Sequence, residues 1–416
     1  MRELLRDARF RKVGTKHRAG YFLLYPALPS LEASPSACID TARETYGFRF
    51  APLGGWPHLR RPRWEEGMSR SSTWTPTSPS GRDRYGAEAL ALDAPIFQLP
   101  FWNEPLRAMG LHPRYLRLRD DTRTLAYATV LQMGPPGARL GLVQRGPVVC
   151  PDGGMATSAA AQSLAHWSRR HGFVFLRFTH PHGDVLDAVA ALPRARREDA
   201  FPFYRDPGEQ LLVSQMGTDD ELLASFQPVA RRDIRGAEKV GFRIDRSRDA
   251  DSFERLWPLF ERLATRKGFH YRPLRSYLAL LKEAQPQGAA DVFTAYLNDV
   301  PVEAILVVRD RRTAYYISGA LNLDALGDAT SPSVLTHWVA MRTLAQEGAE
   351  VYDLGTKSGA VYVFKRKFRP REIVHPAPVT VVANPVLYRA WTFGLSRLNG
   401  PWRRRLKALA ARVMGR

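Results

Sequence analysis

One order of elements occurs twice in this chain, and it limits the fold more than any bulk property does. Residues 115–178 read as three β-rich runs, RYLRLRDD, TLAYATVLQM and ARLGLVQRGPVV. An Ala-rich helix from Ala156 to His171 follows, then a near-continuous apolar strand, FVFLRF. Asp120-Asp121 and Gly134-Pro135-Pro136-Gly137 are the turn signals between the runs, and Gly172 ends the helix as a C-cap. Residues 291–355 repeat the order with DVFTAYLND, PVEAILVVRD and TAYYISGA, joined by Asn298-Asp299 and Asp310-Arg311-Arg312. Ser331-Pro332 then starts a helix, Ser as N-cap and Pro at the first helical position, and EVYDLG is the next strand. A strand apolar at nearly every position is buried on both faces, which places helices over a mixed sheet. The expected architecture is α/β (α+β), two tandem units of the same build. Between the copies, Thr218-x-x-Glu221 is a capping box that opens DDELLASFQPVARRDIRGAEKVG as a helix. SFERLWPLFERLATRKG and LRSYLALLKEA are amphipathic, and the span from 242 to 290 is too short for a long coiled-coil arm.

The ends differ from this patterned centre. Residues 1–87 carry scattered Arg and Pro with no sustained period, and read as a basic extension without fixed structure, in which Met68 is an alternative start. The first unit is then expected at 88–235, the second at 236–390, and a basic amphipathic helix at 391–416. Lys plus Arg number 61 against 41 Asp plus Glu, a net charge of +20 that favours a polyanionic partner: nucleic acid, a nucleotide diphosphate or an anionic membrane surface. Two cysteines, Cys38 and Cys150, exclude a disulfide scaffold and a Cys-rich zinc module. The start MRELLRDARFRKVG has no apolar core and is not a secretory signal, and no run reaches about 18 apolar residues, the length of a membrane helix. A cytoplasmic protein is expected, with peripheral contact at the inner face of the membrane through the basic C-terminus. His180-Pro-His182-Gly-Asp184 suggests a metal at first sight, but it is a loop with no further paired ligand nearby, so no metal is expected. Cys150 has no indicated His partner and is not read as a nucleophile. No helix-turn-helix, RNP or zinc-finger signature appears.

Several stretches resemble one family. These are Phe97-Gln98 followed by Trp102, Gln144-Arg145-Gly146-Pro147, the helix Arg231-Arg232-Asp233-Ile234-Arg235-Gly236-Ala237-Glu238-Lys239-Val240-Gly241, the strand Val351-Tyr352-Asp353-Leu354-Gly355, and Phe364-Lys365-Arg366-Lys367-Phe368. NPVLYRAW at 384–391 follows them. In order and spacing, over residues 97–388, they resemble the Fem family (FemABX) of peptidoglycan interpeptide-bridge aminoacyltransferases, which carry two GNAT-like domains. The resemblance implies an aminoacyl-tRNA donor as co-substrate, no other cofactor, and an acceptor amine on the stem peptide of lipid II or UDP-MurNAc-pentapeptide. It also implies a tetrahedral oxyanion that needs a fixed cation or donor.

The resemblance places Lys365 in the oxyanion role, whereas the pattern VFKRKFRPR alone reads as a basic strand with Lys365 and Lys367 on one face. Arg231 and Arg235, four apart on a helix face, suit an acceptor diphosphate, or they form a solvated cationic face. Arg107 is a further phosphate candidate. Tyr316, with Tyr315 beside it, and Phe364 are candidate substrate contacts or packing residues. Asp353 either holds the incoming amine, orients a proton shuttle, or makes a structural hydrogen bond. Two alternatives stay open. An acyl-CoA-dependent N-acyltransferase would need a Gly-rich pyrophosphate turn, and ALGDATSPSVL has one Gly and no suitably placed Arg. A tRNA-dependent peptide ligase of secondary metabolism would differ only in its acceptor.

Overall fold

The structure, a computed structural model, describes residues 72–197, 209–213, 216–327, 330–357 and 359–398. The first sheet contains β1 (Thr73–Pro76), β2 (His112–Arg119), β3 (Thr124–Met133), β4 (Arg139–Gln144), β5 (Val148–Val149), β6 (Phe173–Thr179) and β7 (Ala195–Arg197). The second contains β8 (Glu209–Val213), β9 (Arg243–Ser247), β10 (Ala290–Leu297), β11 (Val300–Arg309), β12 (Thr313–Leu321), β13 (Val351–Asp353) and β14 (Arg371–Val374). The last strand, β15 (Val379–Val382), belongs to the first sheet. The helices used below are α1 (Arg82–Ala91), α2 (Thr157–Arg170), α3 (Gly183–Ala190), α4 (Asp219–Ser225), α5 (Pro228–Val240), α6 (Ala250–Lys267), α7 (Leu274–Ala284), α8 (Ser333–Gln346), α9 (Gly359–Lys365) and α10 (Pro385–Leu398).

Both repeats form as the sequence predicts. β2, β3 and β4 make an antiparallel meander, α2 crosses over, and β6 returns parallel to β4. β10, β11 and β12 make the second meander, α8 crosses over, and β13 lies parallel to β12. A parallel pair requires such a crossover, and each helix supplies it. The strand orders are β1-β2-β3-β4-β6-β15-β7 and β14-β8-β13-β12-β11-β10-β9.

The unit boundaries differ from the expected ones. β8 pairs antiparallel with β13 in the second sheet, so the second unit begins by residue 209, not 236. Helices α4 and α5 also pack there, through Leu222, Ala230, Ile234 and Ala237. At the other end β15 leaves the second unit and pairs antiparallel with β6 and β7. It holds in the first sheet the place that β8 holds in the second, antiparallel beside the strand that follows the crossover helix. The extension is shorter than 87 residues: β1 pairs with β2, and α1 buries Tyr85 and Ala89. Residues 1–71, with Met68, lie outside the described part, as do residues 399–416 of the expected C-terminal helix, whose described portion is α10.

Local signals account for the helix ends. Thr218 and Glu221 close the capping box on α4, but Pro228 starts a separate α5, so the expected single helix is two. Asp249 accepts from Asp251 and Ser252 at the start of α6. Ser331 lies two residues before the first residue of α8 and accepts from the Ser333 N–H at 3.3 Å; Pro332 holds the cap position, a one-residue shift from the predicted cap.

The two units share one continuous core. Tyr85, Phe101, Trp102 and Tyr127 of the first unit pack in the same cluster as Phe253, Phe260, Tyr277, Val292 and Leu306 of the second. The opening motif serves this junction. Gln98 is fully buried, donating to the Gln144 carbonyl at 2.6 Å and accepting from Thr129 N–H at 2.8 Å. The Arg272 guanidinium lies 4.5 Å over the Trp102 ring. No described helix is long and apolar enough to cross a membrane.

Candidate active site

The last residue of β13 is Asp353, and the chain then turns through Gly355 at φ +74°, a conformation that favours glycine. A Cβ there would also lie 3.7 Å from the Lys365 ammonium. Lys365 is the last residue of α9 and is followed by a 3-10 turn, so FKRKF is helical and not the expected strand. The physical reason is the spacing of the aromatics. Phe364 and Phe368, four apart, both reach the His337 ring, at 5.4 and 5.7 Å, which a strand would not allow at that separation.

Lys365 is 3% exposed and donates to the Thr356 carbonyl at 2.9 Å. Burial pushes its pKa down to about 8, and the Asp353 carboxylate opposes the fall. Asp353 is also buried. It accepts from the Gly355 N–H at 2.7 Å and from the Gln210 amide. Burial pushes the Asp353 carboxyl up, against the opposing pull of Arg145, the two hydrogen bonds and Lys365. Lys365 and Asp353, separate candidates in the sequence, thus act on each other electrostatically in the structure.

Aromatic residues frame this couple. The His337 Nδ1 lies 3.1 Å from the Tyr352 hydroxyl, and the ring stands edge-on to Tyr316 at 4.7 Å. Burial, with Lys365 adding to it, drops the His337 pKa to about 3, so the imidazole is neutral. Tyr315 and Tyr316 are adjacent on β12 and so point to opposite faces of the sheet, with a bulge at Ile317, opposite Leu306 and Val307, just beyond them. Tyr316 meets His337. Tyr315 instead gives its hydroxyl to Asp310 at 2.9 Å and stacks edge-on to Phe97, so it is a packing residue.

The arginine candidates are elsewhere. Arg231 donates to the carbonyls of Ala224 and Phe226, at 3.1 and 2.6 Å, and so covers the C-terminal end of α4. Arg235 is exposed on the same helix. Arg107 pairs with Glu104 at 2.6 Å, and Glu104 also receives the Tyr115 hydroxyl. Arg231 and Arg107 thus spend these bonds on Ala224, Phe226 and Glu104, not on Lys365. Lys367 pairs with Asp233 at 2.8 Å, which fastens the turn after α9 to α5. An open pocket of about 350 Å³ lies instead in the first unit, lined by Arg145, Pro147, Val148, Thr157, His180 and His182. His180 accepts from the His182 N–H at 3.1 Å, and burial lowers its pKa to about 4. No group of three or more metal-ligating side chains occurs among the described residues. Burial raises the Cys150 thiol pKa.

Sequence reasoning missed Gln210, His337, His375 and Glu303. Their signal is tertiary: each is a single polar residue in an otherwise ordinary strand, helix or loop. Glu303 on β11 is 5% exposed and accepts from the hydroxyls of Ser333 and Thr336 in the first turn of α8. Burial raises its pKa to about 7. The native state then holds this proton where the unfolded chain releases it, so Glu303 lowers stability as pH rises from about 4.5 to about 7. Glu303→Gln should gain on the parent by roughly 2–3 kcal/mol between pH 4 and pH 8. Urea unfolding at both pH values measures it, and a pH-independent difference would remove Glu303 as the cause.

Residues 224–366 match the acetyltransferase (GNAT) domain family. The fold is that of "Crystal structure of FemX", at TM-score 0.63 and 17% identity, covering 76% of this chain and 99% of that one. A conserved protein of unknown function from Bacteroides thetaiotaomicron is similar at TM-score 0.53 and 9% identity, covering 74% of this chain and 98% of that one. No curated protein matches the sequence. The chain thus folds as two GNAT-like units, and its second half carries an acyltransferase domain.

Proposed function

We propose that this protein is a tRNA-dependent aminoacyltransferase whose acceptor is a stem-peptide amine of a peptidoglycan precursor, lipid II or UDP-MurNAc-pentapeptide. The observation that carries the reading is the buried Lys365 ammonium, its charge favoured by the Asp353 carboxylate, inside an acyltransferase fold. The amine nitrogen attacks the aminoacyl ester carbon, the C–N bond forms, and negative charge collects on the carbonyl oxygen. A desolvated ammonium stabilises that oxyanion more strongly than one in water. Collapse breaks the ester C–O bond, and the ribose oxygen leaves with the proton that the amine gives up. A lysine titrating near 8 is suited to pass that proton as well as to hold the charge. Asp353 keeps the ammonium charged.

The donor reading has two supports. The net charge of +20 suits a polyanion such as tRNA. The first turn of α8, where a CoA pyrophosphate would be cradled, already gives its Ser333 and Thr336 hydroxyls to the buried Glu303 carboxyl. Arg231, Arg235 and Arg107 remain the proposed phosphate contacts, Tyr316 and Phe364 the proposed substrate contacts, and the basic C-terminus the proposed membrane contact.

The test is one incubation with a charged-tRNA mixture and UDP-MurNAc-pentapeptide or lipid II, read by product mass. Aminoacyl-tRNA should support transfer and acetyl-CoA should not. Binding of tRNA should weaken by orders of magnitude between about 50 and 200 mM salt if roughly six or more phosphates are neutralised. Acetyl-CoA-dependent acylation of the same acceptor would overturn the donor.

A further inference from the structure

Arg145 ends the run after β4 at φ +52° and points out of the first unit. Its guanidinium lies 4.8 Å over the Phe97 ring and donates to Gln210 Oε1 at 3.0 Å. The His375 Nε2 lies 2.6 Å from the same oxygen. A guanidinium has donors only, so the Gln210 atom facing it must be the amide oxygen. The amide nitrogen therefore faces Asp353, to whose Oδ2 it donates. A flipped amide would set oxygen against a carboxylate and N–H against a cation. His375 donates as a neutral Nε2–H tautomer, since burial and Arg145 hold its pKa down to about 4.

We propose that Arg145 is a positioning residue for the second unit: reaching across from the first, it locks the Gln210 amide so that Asp353 stays an anion beside Lys365. This rests on the aminoacyl-transfer reading only for what Lys365 does, not for the linkage itself.

The surroundings of the pair are few. Asp353 faces Arg145 from the β4 end, Gln210 from β8, the Gly355 N–H, Tyr315 from β12 and Lys365 from α9. Lys365 faces Asp353, the Thr356 carbonyl and the neutral His337 from α8. With the lock in place, Arg145, Gln210, the Gly355 N–H and Lys365 all favour the Asp353 carboxylate against its burial. Without it, burial weighs more heavily on Asp353, the carboxyl holds a proton more readily, and Lys365 has less of the anion that offsets its own burial.

The sign of the effect separates this linkage from plain electrostatics. Deleting a nearby cation by itself raises the pKa of a lysine. The linkage predicts the reverse. In full-length protein carrying lysine labelled with ¹³C at Cε, the Lys365 resonance is identified by its loss in Lys365→Met and titrated by NMR. The parent midpoint near 8 should fall by about one pH unit in Arg145→Met and in Gln210→Leu. Arg145→Lys, which keeps a cationic donor, should restore most of it. In the transfer assay kcat should fall in the same order with the acceptor KM little changed, and the alkaline limb of the pH profile should move with the NMR midpoint. Gln210→Leu leaves Arg145 over Phe97, so it carries the test if Arg145→Met does not fold. A folded variant whose Lys365 midpoint stays or rises overturns the proposal. A midpoint that falls while charged tRNA supports no transfer sustains the linkage and removes the functional reading alone.

Discussion

Lys365→Met should slow transfer by about 100- to 1,000-fold, the usual cost of removing one oxyanion donor. Acceptor KM should stay close to that of the parent, because the charge is needed mainly in the transition state. Methionine has a similar length and fits the buried site, so the loss measures the charge and not the packing. Lys367→Met is the contrast. It gives up the Asp233 ion pair outside the site, and its kcat should change by less than about threefold, since half-exposed pairs contribute about 1 kcal/mol or less. The Lys365-dependent part of the rate should fade as pH rises through about 8, where the ammonium loses its proton. Equal and small effects of the two substitutions would end the catalytic assignment.

Ending the chain at Pro376 should abolish folding of the first unit, although the cut lies in the second half of the sequence. It removes β15, whose residues Val379, Thr380, Val381 and Val382 are all buried between β6 and β7. Each valine contributes about 1.5–3 kcal/mol through burial. Arg177 is fully buried and donates to the Thr380 hydroxyl at 2.9 Å, so the cut strips a partner from a charge inside the core. Losing this hydrogen bond to a charged donor costs roughly a further 1.5–3 kcal/mol. The total is comparable with the whole stability of an ordinary domain, about 5–15 kcal/mol. The truncated chain should be insoluble or lack a cooperative melt, as expression trials and calorimetry would show. A soluble truncated protein that melts like the parent would mean β15 is dispensable.

What could be read from sequence was what neighbours in the chain decide. The meanders, the crossover helices and the Thr218–Glu221 capping box depend on residues a few positions apart, and they form as expected. β8 and β15 were not legible as sheet partners, because their pairing depends on residues far away in the chain: Asp353 for Leu212, and Phe178 for Val379. The helix ending in Lys365 was misread because alternating Phe, Lys, Arg and Lys imitate a period of two. The deciding contact, His337 with both Phe364 and Phe368, comes from another element. For Arg231, helical spacing gave the right face but not its end. Pro228 starts α5 as a separate helix, and the Arg231 side chain is spent on carbonyls at the end of α4. Lys365 and Asp353 came from the resemblance, and the structure adds their burial, which no spacing encodes.

The late return of β15 also sets a schedule. Phe178 waits for Val379, about two hundred residues further on, before its outer edge is paired. At about 5–20 residues per second, a ribosome takes roughly 10–40 s to supply the missing strand. Throughout that interval the nascent first unit presents β6, buried at every position in the finished protein, as an open edge to other chains. The amino-terminal unit therefore cannot be completed first, as linear synthesis would otherwise favour. The two units mature together, and the crowded interval before β15 emerges is the time at which this chain most needs a chaperone.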